Sequence, residues 1–110
     1  MTLPHTRASW QAIADSLAIR TRAFIDGRYV DAASGKTYDC LSPSDGRMVG
    51  KVAEGEGEDI ERAVAAARRS FEAGIWANAK PTHRKKVLIK FAQLIDQYGD
   101  ELAVLESLDM

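Results

Sequence analysis

Apolar residues recur along this chain with two different periods. From Ala23 to Ala53 they come in short runs broken by turn-forming residues, and from Asp59 onward they fall every three or four positions. In the first stretch, Phe24-Ile25 and Tyr29-Val30 flank Asp26-Gly27. An Asp-Gly pair supplies the two positive-φ positions of a type I′ turn, so a tight hairpin is predicted. Ala32 to Lys36, with Ser34-Gly35, reads as a loop. Thr37 to Glu54 reads as a second hairpin: Tyr38–Ser42 runs out and Met48–Ala53 returns. Pro43 presets φ at the first turn position, and Gly46 closes the turn at positive φ. Two hairpins of this size have little core and need helices to cover them.

The helical period begins with Ile60, Val64, Ala67 and Phe71, the spacing of one buried face. Glu58, Asp59 and Glu61 crowd the first turn and Arg68-Arg69 lie near the last, as the helix dipole favours; Gly74 is the predicted stop. Ile75-Trp76 is expected to anchor the connection. Pro81 is placed at the first position of a second helix, where its missing N–H costs nothing. That helix is expected to bury Val87, Leu88, Phe91, Leu94 and Ile95 and to break at Gly99. Asp100 and Glu101 then open a third helix bearing Leu102, Leu105 and Leu108. Ahead of the hairpins, Ser9 is the expected N-cap of a short helix with Trp10, Ile13, Ala14 and Leu17 on one stripe, ending near Ile19. The expected division is a helical arm over 1–22, two hairpins over 23–57 and a helical part over 58–110.

Composition narrows the class without naming a reaction. At 110 residues, 45% hydrophobic and 28% charged, the chain matches one globular domain. No apolar run reaches the roughly 20 residues that cross a bilayer. Met1-Thr2-Leu3-Pro4-His5 has no basic region leading into an apolar stretch, so no signal peptide is expected. One cysteine cannot form an internal disulfide, which fits a reducing cytoplasm. A net charge of −1 gives no reason to expect nucleic acid or a membrane as partner.

Each residue that suggests chemistry also has a plainer reading. Glu54-Gly55-Glu56-Gly57-Glu58-Asp59 puts a Gly-x-Gly between strand and helix, where a dinucleotide fingerprint would lie. Ile60 holds the place of the third glycine and the acids repel a pyrophosphate, so a flexible loop is the reading adopted. Gly35-Lys36-Thr37 lacks the upstream glycine of a phosphate loop. Cys40 sits mid-strand beside Asp39 and Leu41 without a basic neighbour in sequence, so it reads as structural rather than nucleophilic. His5 and His83 have no partner at i+3 or i+4, so a transition-metal site has no support. Lys80, Arg84, Lys85, Lys86 and Lys90 read as a solvated helix face. No catalytic residue and no cofactor-binding residue is assigned.

Taken in order, several segments resemble the N-terminal part of an aldehyde dehydrogenase. They are Phe24-Ile25-Asp26-Gly27-Arg28-Tyr29, Ser42-Pro43-Ser44-Asp45-Gly46-Arg47 and Val52-Ala53-Glu54-Gly55, then Asp59 to Arg68 with Phe71, Trp76 and Arg84, and Leu105-Glu106-Ser107-Leu108-Asp109. The resemblance implies an α/β fold: the N-terminal part of an NAD(P)-binding domain, with an N-terminal helix, two β-hairpins and three amphipathic helices. Trp10, Leu17 and Arg22-Ala23-Phe24-Ile25 resemble the bacterial branch acting on γ-glutamyl-γ-aminobutyraldehyde and related ω-amino aldehydes, a branch of polyamine catabolism.

The same resemblance implies NAD or NADP as cofactor, an aldehyde substrate and a homo-oligomer in the full-length enzyme. It also implies that the catalytic cysteine, the glutamate and the cofactor-binding residues lie beyond Met110. Some members of the family bind a monovalent cation, sodium or potassium, through the backbone at the position of Leu41 and the carboxylate of Asp109. Oxygen ligands suit such hard ions, and an acid at a helix C-terminus is repelled by the local carbonyls unless a cation relieves it. The plainer alternative is that Asp109 caps a neighbouring loop. Glu106 to Met110 shows no cap or polar tail, so a segment of a longer chain, inactive alone, is expected. The competing expectation is an autonomous small helical module that acts through a protein partner.

Overall fold

The first strand pair turns at Asp26 (φ 55°) and Gly27 (φ 75°), the two left-handed positions that the Asp-Gly pair predicts. The structure is a computed structural model and describes residues 5–110; of the Met1–His5 stretch read as no signal peptide, residues 1–4 lie outside the described residues. Helix α1 (Arg7–Ser16) precedes hairpin 1, formed by β1 (Ala23–Ile25) and β2 (Arg28–Val30). Hairpin 2 pairs β3 (Thr37–Leu41) with β4 (Met48–Ala53), and α2 (Gly57–Glu72), α3 (Pro81–Gln97) and α4 (Gly99–Asp109) follow. Both sheets are two-stranded and antiparallel. Hairpin 2 holds register from Thr37↔Ala53 to Cys40↔Gly50, then shifts by a bulge so that Leu41 faces Met48. Gly46 (φ 72°) closes its turn, with its N–H donated to the Ser42 carbonyl at 2.8 Å.

Local signals set most boundaries, with three corrections. The N-cap of α1 is Thr6, not Ser9: the Thr6 hydroxyl accepts the Ser9 N–H at 3.2 Å, which places Ser9 at the third helical position. The helix stops at Ser16 rather than near Ile19, because Leu17 turns extended (ψ 127°). Between α3 and α4 the break falls on Tyr98 (φ −102°), and Gly99 is the first residue of α4 rather than the stop. Gly74 (φ 68°) does end α2, and Pro81 does open α3.

The larger correction concerns the apolar faces. Ile60 (62% exposed), Val64 and Phe71 (69% exposed) of α2 face solvent, as do Val87, Leu88, Phe91, Leu94 and Ile95 of α3. Ile75 and Trp76 are exposed too, so they do not anchor the connection. Strands of three, three, five and six residues offer no sheet face broad enough to cover three helices. Instead α2 rests on hairpin 1 through its small-residue side, where Ala63 and Ala66 are half-buried. Its polar edge closes that contact, with Arg69 Nη2 2.9 Å from Asp26 Oδ2. Helix α1 packs on α4, whose Val104 is buried. A radius of gyration of 18.0 Å follows from this open arrangement, against about 13 Å for a compact chain of this length.

Candidate functional site

Two corners of the structure concentrate polar chemistry. The first is the N-terminus of α2. Asp59 is buried at 5% exposure, and its Oδ2 accepts the Glu56 N–H at 3.0 Å. Its Oδ1 accepts the Ala33 N–H at 2.9 Å and pairs with the Arg62 guanidinium. The Glu56 N–H, then Arg62, then the Ala33 N–H hold the Asp59 carboxyl below its ordinary value. Lys36 Nζ bonds Glu56 Oε1 at 2.9 Å, a hydrogen bond that raises the lysine's pKa. The Gly-x-Gly at Gly55 and Gly57 is thus ringed by the protein's own carboxylates. An anion at this helix N-terminus would meet Asp59 and Glu56, so the residues here do not fit a cofactor pyrophosphate.

The second corner lies where hairpin 2 meets the end of α4. A cavity of about 320 Å³ opens there, lined by Thr21, Cys40, Gly50, Val52, Leu105 and Asp109 among others. The chain segment before hairpin 1 closes one side, with Ala53 donating its N–H to the Thr21 carbonyl at 2.8 Å. Gly50 allows that approach, because a Cβ there would stand 3.0 Å from Thr21 Cγ2. Cys40 Sγ donates to Asp109 Oδ1 at 3.3 Å. The bulge between Cys40 and Leu41 interrupts the β3–β4 ladder at this point, leaving Leu41 beside the Cys40–Asp109 contact in sequence.

Asp109 is the last residue of α4, where the helix carbonyls make a carboxylate unfavourable. Among the described residues no lysine, arginine or histidine pairs with it, and Cys40 is its side-chain hydrogen-bond donor. Arg20 lines the same cavity, with its guanidinium 4.8 Å from the centre of the Tyr29 ring. Asp109 and the bulged end of β3 thus come to one corner through Cys40.

The hydrogen bond to Asp109, then burial, then the Asp109 charge raise the Cys40 pKa, so the sulfur is a thiol and a poor nucleophile. In the full-length protein, Cys40→Ala is expected to lack the ~10³-fold or larger fall in kcat that follows loss of a covalent nucleophile. Steady-state kinetics check this, and a fall of that size would make Cys40 catalytic.

His83 is exposed on α3. His5, with no partner visible in sequence, lies 4.2 Å from Trp10 ring to ring and 2.8 Å from Asp100 Oδ2. It ties the start of α1 to the start of α4. Among the described residues no group of three or more His, Cys, Asp and Glu is placed to hold a metal ion. Lys85, Lys86 and Lys90 are exposed on α3, with Arg84 half-buried. No described helix is long and apolar enough to cross a membrane.

This arrangement of an arm, two hairpins and three helices matches known proteins closely. Residues 29–110 match the sequence profile of the Aldehyde dehydrogenase family. The chain is 43% identical over 109 residues to an aminoacetaldehyde dehydrogenase of Pseudomonas aeruginosa, covering 99% of this chain and 22% of that protein. An indole-3-acetaldehyde dehydrogenase of P. syringae, solved with NAD+, superposes with a TM-score of 0.93 at 50% identity, over 97% of this chain and 22% of that one. A γ-glutamyl-γ-aminobutyraldehyde dehydrogenase of Burkholderia cenocepacia gives 0.89 at 53% identity, over 93% and 21%. The chain belongs to the aldehyde dehydrogenase family. It has the fold of that family's N-terminal region and spans about a fifth of the length of the relatives it matches.

Proposed function

We propose that this chain is the N-terminal segment of an NAD(P)-dependent aldehyde dehydrogenase that oxidises an ω-amino or γ-glutamylamino aldehyde to its carboxylic acid. The observation that carries the reading is the 53% identity and 0.89 TM-score shared with a γ-glutamyl-γ-aminobutyraldehyde dehydrogenase. The similarity to an aminoacetaldehyde dehydrogenase supports the same substrate class. The nicotinamide supplies a hydride acceptor when bound. This chain's own part is structural: Asp59 locks α2 to the loop at Ala33, and the helices present apolar faces for the remainder of a cofactor domain. The arm over 1–22, the hairpins over 23–57 and the helical part over 58–110 act as one scaffold in this reading. The full-length enzyme is proposed to work in the cytoplasm as a homo-oligomer, where a lone free thiol such as Cys40 suits a reducing environment.

The substrate assignment is tested by comparing kcat/KM of the full-length protein for γ-aminobutyraldehyde and its γ-glutamyl derivative with that for propanal, using NAD and NADP. Higher values for the amino aldehydes support it. A preference for propanal overturns it.

The cation reading is part of the same proposal: the Leu41 backbone and the Asp109 carboxylate hold sodium or potassium. The support is the carboxylate's lack of a cationic partner among the described residues and its place at a helix C-terminus beside the strand bulge. The full-length protein is expected to melt higher in potassium or sodium than in a bulky organic cation, and Asp109→Ala to erase the difference. Equal melting of the wild type in all three contradicts the site.

A further inference from the structure

We infer that Cys40 is a positioning residue for Asp109: its thiol holds the carboxylate against β3, so that hairpin 2 and the end of α4 form one corner. The inference rests on the cation reading for its purpose, but the contact itself stands on geometry. Cys40 and Asp109 are 69 residues apart in sequence, and their 3.3 Å contact is the side-chain hydrogen bond that joins hairpin 2 to α4 among the described residues. A carboxylate on the last turn of a helix has little to hold it. Its side chain is free to rotate, and the helix carbonyls repel it from the axis. The thiol carries a single proton to donate and satisfies one lone pair of Oδ1. The carboxylate keeps further lone pairs, and these are the ones a cation would take in the cation reading. Leu41 follows Cys40 directly, so the residue that fixes the carboxylate also fixes the strand end that would supply the backbone ligand.

The positioning role requires a donor at this place, not sulfur as such. A serine can replace the thiol as donor, whereas alanine removes the donor and leaves the apolar stem. This separates positioning from packing, because both variants shorten the side chain and only one keeps the hydrogen bond.

The test uses the full-length protein with two readouts. The first is the infrared S–H stretching band of Cys40, isolated as the difference between wild type and Cys40→Ser. It is expected at the position of a hydrogen-bonded thiol and should move to that of a free thiol in Asp109→Ala. The second is the potassium concentration at half-maximal thermal stabilisation. Cys40→Ala should raise it roughly 3- to 10-fold, the size of one modest hydrogen bond, and Cys40→Ser should stay near wild type. A free-thiol band in the wild type, or a Cys40→Ala midpoint equal to wild type, overturns the inference. A wild type that ignores potassium and sodium overturns the cation reading instead, and the infrared band then decides by itself whether Cys40 holds Asp109.

Discussion

Prepared alone, the 110-residue chain is expected to self-associate and to bind an environment-sensitive apolar dye strongly. The reason is the direction in which its helices point. Ile60, Val64 and Phe71 of α2 and Leu88, Phe91 and Ile95 of α3 are exposed on contiguous turns, and Phe91 alone is 59% exposed. Among the described residues only Ala32 and Val104 are buried hydrophobic side chains. Burial contributes about 25 cal/mol per Å² of apolar surface, so two such residues support little stability, while the uncovered faces gain from any contact. Contiguous apolar patches beyond a few hundred Å² mark association surfaces. Light scattering and dye fluorescence measure the outcome. A compact, dye-silent monomer would mean that the chain covers its own faces and acts as an independent module.

The second large effect is expected at Asp59. Asp59→Ala in the full-length protein removes the acceptor for two backbone N–H groups, at Glu56 and Ala33, and the partner of Arg62. The start of α2 and the loop that it steadies should loosen together, giving a lower melting temperature than Asp59→Asn, which keeps one acceptor oxygen. The acid dependence has a defined sign. The folded state holds this carboxyl below its ordinary value, so it favours the ionised form. The resulting stability is complete above the ordinary aspartate value of about 3.9 and is lost as pH falls through the lower folded value. Below about pH 4 the wild type should therefore lose melting temperature more steeply than Asp59→Ala. Parallel acid profiles for the two would show that Asp59 is not held in this way.

What could be read from sequence was whatever its nearest neighbours decide. Asp26-Gly27, Gly46, Gly74 and Pro81 act through their own φ or their missing N–H, and each stands where the pattern put it. The N-cap slipped from Ser9 to Thr6 because both are good caps, and only the backbone distinguishes them. Periodicity marked the apolar stripe of α2 but not its occupant. The face that meets hairpin 1 carries Ala63 and Ala66, too small to stand out in a hydrophobic pattern.

Contacts across long separations left no trace in spacing. Asp59 read as an ordinary acid complementing a helix dipole, while its reach to Ala33 spans 26 residues. Cys40 read as structural on its neighbours alone, and Asp109, its hydrogen-bond partner, lies on the last helix. The pairing of Leu41 with Asp109 came from family resemblance rather than from spacing, and the contact the structure shows at this corner is that of Cys40 with Asp109.

The most direct measurement of the central claim sets two preparations side by side, the 110-residue chain and the full-length protein, each with γ-aminobutyraldehyde and NAD. NADH formation is followed by absorbance. The full-length protein should turn over and the isolated chain should not, because Cys40 is a thiol held by a carboxylate and the N-terminus of α2 is closed by Asp59 and Glu56. Turnover that follows the isolated chain through successive purification steps, or an inactive full-length protein, would contradict the account.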